Sequence, residues 1–203
     1  MSRRPTRLTA VDTSGGSTIT ERQRKILFKN TLISNSSGPI TYEEMVKAGV
    51  RAENMVASGL GLRFFFDHGV TSAAKLARLG VDALHFNDGA FAREACSLHG
   101  AEALVAAFCT TADDAIALAG SEAFDILGLS VEQLLQLCAG SPKAATAVLA
   151  AEDGRGLAGV RASTLLDTGL RAGALKALGI GMMQVSELEG AECDTGLKFN
   201  FKL

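Results

Sequence analysis

Glycine returns along this chain at intervals of about ten residues. The series runs Gly49, Gly59, Gly69, Gly80, Gly89, Gly100, Gly120, Gly128, Gly140, Gly159, Gly169, Gly179 and Gly190, and it skips a beat near Thr110 and near Ala150. The residue after each glycine is usually apolar, as at Val50, Leu60, Val70, Val81, Leu129, Val160, Leu170 and Ile180. The fourth residue before it is usually large and apolar, as at Met45, Met55, Phe65, Leu76, Ile116, Phe124, Leu165 and Leu175. Those two positions meet when a helix ends in a left-handed C′ residue, so each glycine of the series reads as a helix stop.

Helix starts follow within a few residues. Thr20 with Gln23, Thr41 with Glu44 and Ser130 with Gln133 have the spacing of a capping box, and Ser141 before Pro142 places proline at the first helical position. Thr71 and Thr111 are further simple caps. The expected unit is therefore a cap, six or seven helical residues, a glycine and an apolar turn residue. Helices this short do not persist alone, because nucleation costs more than so few hydrogen bonds return. They require stacking, and the expected fold is an all-α, solenoid-like array with a repeat of about ten residues over 42–190. The aromatic residues Phe64, Phe65, Phe66, Phe86 and Phe91 lead us to expect the thickest part of the core there.

Composition agrees with punctuation rather than flexibility. The 203 residues include 22 Gly but only 3 Pro, are 47% hydrophobic and 21% charged, and have a mean hydropathy of +0.21. That excludes a disordered chain and a collagen-like one. Strand signals are confined to the alternation Leu197–Phe201, a short extended cap or tail within 191–203. No apolar run reaches membrane-spanning length, since Asp113 and Asp114 cut the stretch 101–120. Arg3, Arg4 and Arg7 are followed by Ser and Gly rather than an apolar region, so no secretory leader is expected. Cys96, Cys109, Cys138 and Cys193 are irregularly spaced and read as reduced thiols of an intracellular protein, not a disulfide frame.

The repeat is clearest in Met-Val-Lys-Ala-Gly-Val-Arg (45–51), Leu-Ala-Arg-Leu-Gly-Val-Asp (76–82), Leu-Leu-Asp-Thr-Gly-Leu-Arg (165–171) and Leu-Lys-Ala-Leu-Gly-Ile-Gly (175–181). This Leu-x-x-x-Gly-apolar pattern resembles the short helix-turn tandem repeats found in proteins of large DNA viruses of algae and protists. The resemblance is degenerate over 101–156. It implies a scaffold role, in the specific case a minor structural protein of a virion or capsid, and carries no catalytic residue to transfer.

Charge is unevenly placed: residues 1–30 carry a net +5 and the remainder −7. Residues 1–17 read as a disordered basic arm. Within 18–34, Ile26, Leu27, Phe28, Leu32 and Ile33 form an apolar face against Arg22, Lys25 and Lys29, an amphipathic basic helix that either caps the array or docks on a partner or a membrane surface. Residues 35–41 read as a linker. The expected partner-binding residues are Arg3, Arg4, Arg7, Arg22, Arg24, Lys25, Phe28 and Lys29, with a solubilising tail as the alternative.

Chemistry-bearing patterns each have a plainer reading. Gly154–Gly159 matches a dinucleotide glycine loop, but an alanine-rich helical stretch stands where a strand is required. Cys96, His99, His85 and Cys109 offer zinc ligands without the two close pairs of a closed site, and His68 and His99 fall at helix ends, where they would satisfy carbonyls. The pairs Glu43/Glu44 and Asp113/Asp114 fall in first helical turns, where negative charge is favourable. No catalytic, cofactor or metal site is expected. The expected function is a non-enzymatic structural or protein–protein interaction module, a scaffold or assembly component located in the cytoplasm or, if viral, in the virion. The alternative is a nucleic-acid-binding protein using the basic arm and the Gly-x-Gly turns at 59–61 and 179–181, which resemble helix-hairpin-helix motifs.

Overall fold

The structure, a computed structural model, describes residues 20, 22, 23, 40–152, 157 and 160–179. Every regular element among them is helical. They fall into two compact units divided between Val70 and Thr71. The arm 1–17 and the tail 191–203 lie outside the described residues, as do Gly159, Gly190 and the alternating stretch Leu197–Phe201.

The first unit contains α1 (Tyr42–Lys47), α2 (Ala52–Ser58) and α3 (Leu62–Asp67). Met45, Val50, Met55, Leu62, Phe64, Phe65 and Val70 form its buried centre, with the rings of Phe64 and Phe65 edge to face at 5.3 Å. Helix α1 begins with the full capping box: Glu44 N–H donates to Thr41 Oγ1 and Thr41 N–H donates to Glu44 Oε2 at 2.8 Å.

The second unit contains α4 (Ala73–Arg78), a 3-10 turn (Ala83–Asn87), α5 (Gly89–His99), α6 (Ala101–Phe108), α7 (Ala112–Leu118), α8 (Glu122–Ile126), α9 (Val131–Leu137), α10 (Pro142–Ala151), α11 (Ala162–Asp167) and α12 (Ala172–Ala177). Phe86 is fully buried, with Phe108 at 5.0 Å and Phe91 at 5.5 Å. The aromatic residues expected to thicken one region of core therefore divide: Phe64 and Phe65 serve the first unit and Phe86, Phe91 and Phe108 the second.

The glycine stops are present in atomic detail. Val50, Val70, Val81 and Leu129 donate backbone N–H to the carbonyls of Met45, Phe65, Leu76 and Phe124, five residues earlier. The intervening Gly49, Gly69, Gly80 and Gly128 donate to the residue three before them. Both bonds of a Schellman turn are thus made at each. Ten glycines of the series have positive φ, from 63° at Gly128 to 101° at Gly69.

Gly89 departs from that reading. It opens α5 rather than closing an element, because Asp88 Oδ1 accepts the N–H groups of Ala90 and Phe91 and so caps a helix starting there. A Cβ on Gly89 would meet the carboxylate end of the exposed Glu122 side chain, which is free to move aside, and Gly89 has no left-handed φ. Thr71 is likewise corrected: the cap of α4 is Ser72, whose side chain accepts from Lys75 N–H. The skipped beats have different causes. Helix α10 runs unbroken through Ala150 to Ala151, whereas α6 ends without glycine at Cys109, just before the Thr111 cap. Helices α5, α6 and α10, with 11, 8 and 10 residues, exceed the expected six or seven.

Side-by-side packing in the second unit follows a longer interval than the glycines. Helix α4 packs on α6, the 3-10 turn on α7, α5 on α8, α7 on α10, and α9 on α11. Specific bonds between such pairs join residues 29, 30 and 32 positions apart: Arg93 with Glu122, Cys96 with Ile126, and Glu132 with Thr164. Residue numbers rise together across α5 and α8. They do so again from Glu132–Thr164 to the bond from Gly140 N–H to Asp167 C=O (2.8 Å), so each of these pairs runs parallel.

Candidate interaction surface

Of the eight residues assigned to partner binding, the structure describes Arg22, which is exposed. Beside it, Thr20 N–H donates to Gln23 Oε1 at 3.0 Å and Gln23 N–H to Thr20 Oγ1 at 3.2 Å, the anticipated capping box. Arg3, Arg4, Arg7, Arg24, Lys25, Phe28 and Lys29 lie outside the described residues.

The candidate zinc ligands have separate local partners. Cys96 Sγ points at the carbonyl of Ile126 at 3.8 Å, and His85 Nδ1 is 2.7 Å from Asp82 Oδ1. His99 is partly buried, which lowers its pKa, against the opposing effect of a hydrogen bond with the Thr71 backbone. Burial pushes the Cys109 thiol pKa up, and the negative charge of Asp114 and electrostatic coupling to the Cys138 thiol push it further. Burial alone raises that of Cys138. A raised thiol pKa means little thiolate near neutrality, the opposite of an activated nucleophile. Among the described residues, no group of three or more His, Cys, Asp or Glu could hold a metal ion. His68 satisfies a helix carbonyl: Nδ1 is 2.7 Å from Phe64 O and the imidazole stacks on the Phe64 ring.

The acidic pairs sit at helix starts. Glu43 and Asp113 are exposed first-turn residues. The Asp114 carboxylate accepts from the N–H groups of Thr111 at 2.9 Å and Thr110 at 3.1 Å. Burial raises its pKa, but hydrogen bonds from both threonines outweigh that and hold it below the usual carboxylate value. At the Gly59–Gly61 turn, Gly59 has φ 68° and Gly61 is the extended N-cap of α3. The adjacent Arg63 is engaged, with Nε 3.0 Å from Asp67 Oδ1 and its guanidinium 5.9 Å over Phe66. The second such turn reaches beyond the described residues at 180 and 181. Before the dinucleotide-like glycines stands α10, a helix where a phosphate-binding loop of that kind needs a strand.

Two features were not anticipated. Glu152 is buried at the end of α10 and its Oε1 accepts the Gly120 N–H at 2.7 Å. Its sequence signal is faint: an acid closing an alanine-rich run where a glycine beat is missing. Large apolar side chains are also exposed, among them Val56, Leu84 (63%), Ile116 (38%) and Leu166. Ile116 departs from the glycine-turn reading: four residues before Gly120, it is expected to pack against the residue after that glycine, but Ser121 N–H goes to Leu118 O and the Ile116 side chain is partly exposed.

No protein-family model, curated protein or solved structure matches this chain. Class therefore rests on the molecule itself: an all-helical protein among its described residues, none of whose helices is long and apolar enough to cross a membrane.

Proposed function

We propose that this protein is a non-enzymatic interaction scaffold, a helical solenoid that offers its outward side chains to protein partners in a larger assembly. The observation that carries the reading is the recurrence of parallel helix pairs about 30 residues apart, bonded at Arg93–Glu122, Cys96–Ile126 and Glu132–Thr164. Three ten-residue units then make one superhelical turn, and each turn covers the apolar stripe left by the one before. In such an array the inward residues are committed to stacking and the outward ones form an extended surface free to vary, which is how repeat proteins bind partners. The basic segment 1–34 supplies a second contact, of which Arg22 is described and exposed.

Charge reversal of Arg22, Lys25 and Lys29 to Glu in the full chain tests the reading. Helicity by circular dichroism should be retained while affinity capture of the native partner is lost. Unchanged capture overturns the assignment of the basic segment. Salt-dependent binding to a generic DNA duplex, abolished by the same changes, would instead move the basic segment to a nucleic-acid role.

A further inference from the structure

We propose that the outward side of the 3-10 turn and α7 is a docking surface for the basic amphipathic segment 20–34 of a second copy of this chain. Phe86 of the turn and Ala115 of α7 both point into the core at 0% exposure. The same two packed elements turn Leu84 and Ile116 outward. Asp113, exposed and three residues before Ile116, shares its side of α7, and exposed Asp82 and Asp88 flank the turn. Between Gly80 and Ser141 the sequence carries nine carboxylates against one Lys or Arg, Arg93, and Arg93 is already held by Glu122 at 2.8 Å. Asp82 and Asp88 also serve local bonds, to His85 Nδ1 and to the N–H groups of Ala90 and Phe91, but among the described residues no Lys or Arg side chain reaches them. Two exposed apolar side chains beside such carboxylates call for a ligand with the inverse pattern.

The chain supplies one. Residues 20–34 set Ile26, Leu27, Phe28, Leu32 and Ile33 beside Arg22, Lys25 and Lys29, within an arm of net charge +5 over residues 1–30. Because donor segment and acceptor surface are different parts of the chain, the contact is heterologous. It propagates copies head to tail into a ring or an open filament rather than closing a twofold dimer. This deepens the scaffold reading and rests on it.

The test uses two full-length variants in sedimentation velocity. Leu84→Lys with Ile116→Lys spoils the surface, and Lys25→Glu with Lys29→Glu spoils the segment. Wild type should show sedimentation coefficients that rise with concentration and fall with added salt, and each variant alone should lose association while keeping its circular dichroism spectrum. An equimolar mixture should recover a species of two chains and no larger, since only one intact surface can meet one intact segment. A wild type monomeric at every concentration overturns the proposal, as do association that survives either pair of changes and a mixture that stays monomeric. A monomeric protein that still captures its native partner would overturn this inference while leaving the scaffold reading in place.

Discussion

The carboxylate of Glu152 accepts the backbone N–H of Gly120 at 2.7 Å, joining the end of α10 to the turn after α7 across 32 residues. Gly120 has φ +71°, and Ala151 C=O lies 2.9 Å from where a Cβ would stand, so the approach depends on glycine. A charged group is thus spent inside the second unit to satisfy one backbone donor that no helix ladder reaches.

Glu152→Ala should destabilise the protein by about 1 kcal/mol, the usual net worth of a hydrogen bond, because this part-buried contact to the Gly120 N–H is lost. Glu152→Gln keeps an acceptor oxygen and should lose less. Urea unfolding of both variants orders the two effects, and an alanine variant as stable as wild type would show the bond to be dispensable.

Glycine substitutions should rank by what surrounds them. Gly140 has φ +76° with open space around a Cβ, so Gly140→Ala should cost only the left-handed penalty of about 1–2 kcal/mol. Gly169 has φ +74° and Pro142 Cγ 3.0 Å from a Cβ, so Gly169→Val should cost more than that. Thermal unfolding compares them, and equal losses would mean that contact with the neighbouring turn contributes nothing.

Acidification should weaken the second unit through His99. Burial lowers its folded pKa below the ordinary value of 6.5, so the unfolded chain takes up the proton first. The resulting stability is present above pH 6.5 and is lost as pH falls from there through the folded value. Unfolding free energies measured from pH 7.5 downward should fall more steeply for wild type than for His99→Gln. Parallel curves would remove His99 from the account.

Cys138 should resist thiol reagents in the native state. Its side chain is buried at 0% exposure and burial raises its pKa, so both access and thiolate are scarce. With the other cysteines replaced by serine, its labelling by a chromogenic disulfide should track unfolding by denaturant. Rapid labelling in buffer would place the thiol at the surface.

What proved legible in the sequence is short-range. The Thr41 and Ser130 boxes, the Thr111 cap, which the structure extends to a box with Asp114, and the turns at Gly49, Gly69, Gly80 and Gly128 involve bonds spanning three to five residues, and their residue types carry the needed geometry within a single turn. Gly89 and Thr71 mark the edge of that legibility. A glycine can open a helix behind an Asp cap as well as close one, and two adjacent hydroxyl residues, Thr71 and Ser72, compete to cap one helix. Of the candidate interaction surface, the sequence offers only the clustered Lys and Arg of its basic segment, of which Arg22 is described.

Local hydrogen bonding and the φ that only glycine takes freely thus determined from sequence alone that the chain breaks into short helices and where most of them end. Tertiary structure decided which helices lie together, that α5 meets α8 and α9 meets α11 in parallel, that the aromatic residues divide between two units, and that Leu84 and Ile116 face outward. Those outcomes depend on side-chain fit between segments about 30 residues apart, where no local bond connects cause to result. The ten-residue period could mark where helices end, but only packing could set which helices lie side by side.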